Sequence, residues 1–254
     1  MEVLRPGSMP PLLALREDRT RLLLATGIER VVELTFNAEM SAITAEDFVA
    51  EMLCRHGGAK RLYAGADWRF GRGGAGTVAT ALQVGAPLGL EVVVQPSRTW
   101  RGAPISSSRI RESLLVGRVA EGRDMLGRLY DVPGTVVHGQ GRGSGIGFPT
   151  ANVEVSHRLV LPEAGVYAVR VQVDGAWLPA VANLGTRPTF VAGAGPQVLE
   201  AHIFDFARSI YETAVRVAFA ARLRGEHRFR SVEALKAQIG RDAARARAIL
   251  TGGL

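Results

Sequence analysis

The chain has 254 residues, nearly half of them hydrophobic, and a formal charge of +7. That length suits one large domain or two modest ones with a real core. It has no apolar run near the ~18 residues of a membrane helix, no secretory pattern in MEVLRPGSMPPLLALRED, and one cysteine, Cys54, which reads as buried filler since it has no internal disulfide partner. These features point to a soluble, cytoplasmic protein. The positive charge suits nucleic acid and nucleotide phosphates equally, and no long Lys/Arg block or aromatic–basic interleaving favours the former.

Up to about residue 128, helical and strand patterns alternate. Glu17–Thr26 reads as a helix stopped by Gly27, and Arg30–Phe36 as a strand. Thr44, with Asp47 three residues on, opens a helix whose apolar stripe is Phe48, Met52 and Leu53. Arg61–Ala64 is a short strand before a glycine-rich loop; Thr77–Val84 reads as a helix, Glu91–Gln95 as a strand and Ser107–Val116 as a helix. Such alternation predicts a parallel sheet with crossover helices. From Pro133 the texture turns to β. Thr135–His138 is a strand, and Val166–Val173 and Trp177–Ala182 form a hairpin around Asp174-Gly175. Gln197–Phe206 and Thr213–Ala221 follow as strands, which together predict a small antiparallel barrel. Ser231 caps a last helix with Val232, Leu235, Ile239 and Ala246 on one face. The domains are placed at 1–130 and 131–254.

Between the two textures lies HGQGRGSGIGFPTAN (138–152). Small residues at Gly139, Gly141, Gly143, Gly145 and Gly147 let backbone N–H groups surround an anion, with Arg142 as a fixed cation. This is not a Walker loop, because the Lys-Ser/Thr ending is absent. Pro149 pushes Phe148 to an extended conformation. If the chain continues extended, Thr150 and Asn152 share a face. A hydroxyl and a carboxamide oxygen side by side suit Mg²⁺ that also takes phosphate oxygens; an ordinary turn with an Asn side-chain bond explains the same residues. In QVLEAHIFDF (197–206), alternation puts Glu200 and His202 opposite Leu199, Ala201 and Ile203. Glu200 on a barrel wall is either a general base toward a hydroxyl or a solvated acid.

The ordered segments HGQGRGSGIGFPTAN, GVYAVRV (165–171), VANLGTRPTF (181–190), LEAHIFDF (199–206) and RLRGEHRFRSVEALKAQIGRD (222–242) closely resemble bacterial bifunctional riboflavin kinase/FAD synthetase. YAGADWRFGRGGAG (63–76), SSSRIRESL (106–114) and LGRLYDVPG (126–134) extend the resemblance over nearly the whole chain. It implies an incomplete Rossmann-like α/β nucleotidyltransferase domain, then a six-stranded antiparallel riboflavin-kinase barrel with a C-terminal helix. The implied reaction is ATP-dependent phosphorylation of riboflavin to FMN, with Mg²⁺ as the metal. The implied roles are Thr150 and Asn152 for Mg²⁺ and the ATP phosphates beneath loop 139–147, and Glu200 as base toward the ribityl 5′-hydroxyl. Asn183, Arg187, Arg224, Glu226 and Phe229 would lie on the flavin side. Asp67, Ser107, Ser108 and Arg109 are what remains of an adenylyl-transfer site.

One departure is plain. The family's adenylyltransferase half carries a His-x-Gly-His motif, and His56, His138, His157, His202 and His227 form no such pair. About one βαβ unit, roughly 30 residues or more, is missing by this comparison. The chain is then either a fragment or a kinase whose other half has decayed. FMN is the expected product, with little or no FAD. A non-catalytic flavin- or RNA-binding module on the same fold is the alternative; the expected partners otherwise are riboflavin and ATP, without membrane or nucleic acid.

Overall fold

The computed structural model describes residues 10–139, 145, 147–186 and 197–252. Two compact units divide the chain: Thr20–Ile105 belong to the first, Pro11–Arg19 and Ser106–Leu254 to the second. The division falls inside α1 (Arg16–Leu24), the helix expected before Gly27, which takes a left-handed φ of 91°.

In the first unit, α2 (Ala38–Ala42) is capped by Asn37 and α3 (Ala45–Asp47) by Thr44, whose hydroxyl accepts from the Asp47 N–H at 3.0 Å. From Phe48 to His56 the helix continues as a π-helix. That winding corrects the expected stripe. Val49 is fully buried, and of the expected stripe Phe48 packs with it, beside half-buried Cys54, against Phe70, Ala81 and Leu90, while Met52 and Leu53 are half-buried outside that cluster. Strand β1 (Arg61–Gly65) pairs in parallel with β2 (Glu91–Gln95), joined through α4 (Val78–Gly85), which a Thr77–Thr80 capping box starts. Strands β3 (Thr99–Trp100) and β4 (Ala103–Pro104) close a small hairpin. The strand expected at Arg30–Phe36 does not form, and its alternating Val32, Leu34 and Phe36 are exposed. Alternation supplies a face but no neighbour, and a strand exists only through a hydrogen-bonded neighbour.

In the second unit, Ser106 caps α5 (Ser107–Leu115), and α6 (Val119–Leu126) follows after Gly117 at φ 73°. The sequence reading passed over α6 because it is short and glycine-flanked. Six strands then close a barrel: β5 (Tyr130–Val137), β6 (Ala151–Val155), β7 (Gly165–Val173), β8 (Ala176–Thr186), β9 (Gln197–Ile203) and β10 (Ala214–Arg224). The order around it is β10-β5-β6-β9-β8-β7, antiparallel throughout. The β7–β8 turn is Asp174-Gly175, with φ of 47° and 84°; both values are positive, which matches the right-handed twist of the strands it joins.

The barrel interior holds Tyr130, Tyr167, Phe219 and Leu199, all fully buried. Each phenol still finds an acceptor: Tyr130 donates to the Val160 carbonyl at 2.7 Å and Tyr167 to the Glu163 carbonyl. Burial, with the Asp131 carboxylate adding to it, pushes the Tyr130 phenol well above its ordinary range. Burial likewise pushes Tyr167 up to about 12. The arm Pro11–Arg19 lies along this unit: Leu12 N–H donates to Arg158 O at 2.7 Å, and Val160 N–H to Leu12 O at 2.9 Å. Arg216 on β10 sits between Asp18 of that arm and Asp131 of β5.

Ser231 caps α7 (Val232–Thr251), accepting from the Ala234 N–H at 3.2 Å, a contribution of about 1 kcal/mol. The helix lays Leu235, Ile239, Asp242, Ala246 and Leu250 inward, and its C-terminal end packs against Val166, Ala168, Val181 and Leu223 outside the barrel. Val232, expected on this face, is exposed: it is the first helical residue, and the helix turns its covered side inward only from Leu235 on.

Candidate active site

Strand register builds the site. Asn152 on β6 stands opposite Glu200 on β9, Glu200 opposite Asn183 on β8, Asn183 opposite Val166 on β7, and Val166 opposite Arg224 on β10. Directly opposed residues share a face of the sheet, so these five form one row across the wall. Leu199, Ala201 and Ile203 point into the barrel, which turns Glu200 outward. There a cavity of about 340 Å³ opens, lined by Thr150, Glu200, Asn183, Arg224, Glu226 and Phe229 from the barrel side and by Leu235, Ile239 and Asp242 from α7. Residues far apart in sequence and singled out there for two different tasks, holding phosphate and facing flavin, thus converge on one space.

Two glycines make room for the polar groups. A Cβ on Gly139 would lie 2.0 Å from Asn152 Nδ2, so the chain passes directly over that amide. A Cβ on Gly185 would lie 2.5 Å from Glu226 Oε1 and 3.3 Å from Asn183 Nδ2, which leaves the Glu226 carboxylate beside Asn183. Gly147 has a φ of 88°, a left-handed value that favours glycine, just before the Phe148-Pro149-Thr150 segment. Gly145 is exposed. Gly141, Arg142, Gly143 and Arg187 lie outside the described residues.

At the flavin-side end, Asp242 is only 5% exposed although it carries a carboxylate. Arg224 donates to it from Nε at 2.9 Å and reaches it through Nη2 at 2.8 Å, while Gln238 donates to its other oxygen at 2.8 Å. The Arg224 guanidinium in turn lies 5.6 Å from the centre of the Phe229 ring. Sequence reasoning missed Asp242; its signal was an acid inside the apolar stripe Leu235–Ile239–Ala246. It also gave no role to His202, whose Nδ1 is 2.8 Å from the Pro149 carbonyl.

Among the described residues, no group of three or more His, Cys, Asp or Glu side chains is arranged to hold a metal ion. Thr150 and Glu200 line the cavity and Asn152 stands opposite Glu200 in the β6–β9 register; a hydroxyl, a carboxamide and a carboxylate are hard oxygen donors suited to a cation completed by phosphate and water. Asp67 follows β1 in the first unit, whereas Ser107, Ser108 and Arg109 open α5 in the second. The Ser106 hydroxyl already accepts from the Arg109 N–H at 3.2 Å.

The riboflavin kinase family model matches residues 126–250, and the FAD synthetase family model residues 1–109. The bifunctional riboflavin kinase/FMN adenylyltransferase of Escherichia coli is 38% identical over 248 residues, which are 97% of this chain and 78% of that protein. Its counterpart in Bacillus subtilis is 32% identical over 228 residues, 89% of this chain and 71% of that protein. A solved structure named a macrolide-efflux protein from Streptococcus pneumoniae matches with a TM-score of 0.85 at 33% identity, over 92% of this chain and 75% of that one. Among the described residues of the present chain, no helix is long and apolar enough to cross a membrane.

Proposed function

Because this chain belongs to the bifunctional riboflavin kinase/FMN adenylyltransferase family, we propose that its second unit transfers the γ-phosphoryl group of ATP to the ribityl 5′-hydroxyl of riboflavin, giving FMN and ADP. The observation that carries the reading is the row Asn152–Glu200–Asn183–Val166–Arg224, held at matched register: its Glu200, Asn183 and Arg224 line one cavity, and Asn152 stands opposite Glu200.

Phosphoryl transfer asks a protein mainly for positioning and charge stabilisation. Glu200 accepts the hydroxyl proton as the oxygen attacks. Thr150 and Asn152 hold the phosphate end, with Gly139 and Gly147 shaping the backbone beside them. Asn183, Glu226, Arg224 and Phe229 take the flavin end, with Arg224 fixed by Asp242. Thr150 and Asn152 would hold Mg²⁺, which when bound neutralises charge on the transferring phosphoryl group. The apolar α7 side chains exclude water from the cavity, which strengthens each charged contact within it.

The relatives' second activity, FMN adenylylation, is expected to be slow or absent in these 254 residues, whose five histidines form no His-x-Gly-His. The test is flavin chromatography of the chain incubated with riboflavin, ATP and Mg²⁺. FMN should accumulate with little FAD, and Thr150→Ala with Asn152→Ala should abolish its formation. A double variant as fast as the parent would remove the mechanism, and flavin bound without turnover would favour a binding module.

A further inference from the structure

We infer that His202 is a positioning residue for the phosphate end of the site, holding Thr150 in place across from β9; this rests on the reading that Thr150 carries the magnesium-loaded triphosphate. The β6–β9 ladder ends at Ala151 opposite Ala201. One step further, Thr150 faces His202, and the residue before Thr150 is Pro149, which has no N–H to give. Where the ladder stops, a side chain takes over: His202 Nδ1 lies 2.8 Å from the Pro149 carbonyl oxygen. A carbonyl only accepts, so Nδ1 carries the proton.

The Pro149 carbonyl and the Thr150 nitrogen belong to one planar peptide unit. Anchoring that oxygen fixes the plane from which the Thr150 side chain departs. On the other side of Pro149, Gly147 is exposed and has a left-handed φ. The imidazole itself is gripped. Phe148 meets it edge-on at 5.5 Å and the buried Phe204 at 5.8 Å. Phe204 is covered by Arg247 of α7 at 4.2 Å, and Arg247 binds both oxygens of Asp205 at 2.7 and 3.0 Å. His202 therefore ties the Phe148–Pro149 entry of β6 to the end of β9, which α7 holds through Phe204 and Asp205 just beyond it, and it lines the same cavity as Thr150 and Glu200.

The test compares His202→Asn, which keeps an N–H donor near the Nδ1 position, with His202→Phe, which keeps the ring and loses the donor. Steady-state kinetics are run with Thr150→Ala and the His202→Phe/Thr150→Ala double variant alongside. His202→Phe should raise KM for ATP and the half-saturating Mg²⁺ concentration about tenfold, the worth of one hydrogen bond. KM for riboflavin should stay within about twofold and the melting temperature should be retained, and His202→Asn should recover most of the loss. In the Thr150→Ala background the effect of His202→Phe should largely vanish, because the two residues act through one group. If Thr150→Ala is damaging but His202→Phe costs the same in both backgrounds, or if His202→Asn is no better than His202→Phe, the positioning role is overturned and the site assignment survives. A silent Thr150→Ala overturns the site assignment and this role with it.

Discussion

The closed barrel and the parallel pair of the first unit are both sheets, but they handle their edges differently. Each barrel strand is hydrogen-bonded on both sides, so a one-residue slip in any strand would turn a whole face inside out. Such a wall can hold Asn152, Glu200, Asn183 and Arg224 at fixed spacing across five strands. In the first unit, β1 and β2 pair with each other, Tyr63 and Val94 on them are exposed, and Asp67, the residue singled out for chemistry, sits in the turn that follows. A shared register fixes positions more firmly than a turn does, and that is the physical reason to place the kinase chemistry on the barrel.

The sharpest way to break this contrast is Glu200→Gln. The substitution keeps size and hydrogen-bonding capacity but removes the proton acceptor, so turnover to FMN should fall about 10²- to 10⁴-fold, with KM for ATP nearly unchanged. Asp67→Asn should leave FMN formation at the parent rate. Equal losses in the two variants, measured by initial rates at saturating substrates, would place FMN chemistry outside the barrel wall.

Stability should show the same asymmetry. The Arg216 side chain is 18% exposed and lies between Asp18 and Asp131, themselves 9% and 10% exposed. Arg216→Met removes the cation both carboxylates share, and breaking such a buried group costs about 3–5 kcal/mol. In the first unit, Arg61 and Glu91 pair across β1 and β2 on the open surface. Arg61→Ala should not move the unfolding midpoint. Urea melts followed by circular dichroism would compare the two, and a stable Arg216→Met would mean that the Pro11–Arg19 arm is dispensable for the barrel.

Alkaline pH offers a gentler probe. Tyr167 is held up to about 12 by burial, against about 10 in an unfolded chain. Between those values the unfolded chain has lost the proton while the folded chain keeps it. Its contribution is therefore complete below pH 10 and is lost as pH rises from about 10 to about 12. Tyr130 shifts in the same direction and extends the loss upward. Tyr167→Phe should flatten the fall in urea midpoint across that window; an unchanged slope would mean that the phenol does not titrate with unfolding.

What could be read from sequence was whatever the chain decides locally. Asp174-Gly175 dictates its own turn, Ser231 and Thr44 cap helices within three residues, and alternation alone puts Glu200 opposite Leu199 and Ala201. Thr150 and Glu200 were therefore accessible, and so was a small antiparallel barrel, whose six strands only the family resemblance implied. The row that Glu200 belongs to was not, because the closing order β10-β5-β6-β9-β8-β7 joins strands that are not consecutive. Asp242 depends on Arg224 eighteen positions earlier, and His202 on Pro149, which is 53 positions away. The π-helix at Phe48–His56 moved the buried face for a reason that periodicity at 3.6 residues cannot express.

Arg30–Phe36 is where local pattern and structure part most clearly, and it yields the smallest expected effect. Val32 is 73% exposed, whereas Val132 on β5 is fully buried. The same substitution separates the two environments, since Thr matches Val in shape and adds a hydroxyl. At Val132 that hydroxyl enters a barrel interior and should cost about 1–3 kcal/mol. At Val32 it meets water, and the unfolding free energy should stay within about 0.5 kcal/mol of the parent. If Val32→Thr proved as costly as Val132→Thr, the Val32–Leu34–Phe36 face would be covered in solution. The first unit would then hold an apolar contact of its own, and its difference from the barrel would narrow to one of strand number.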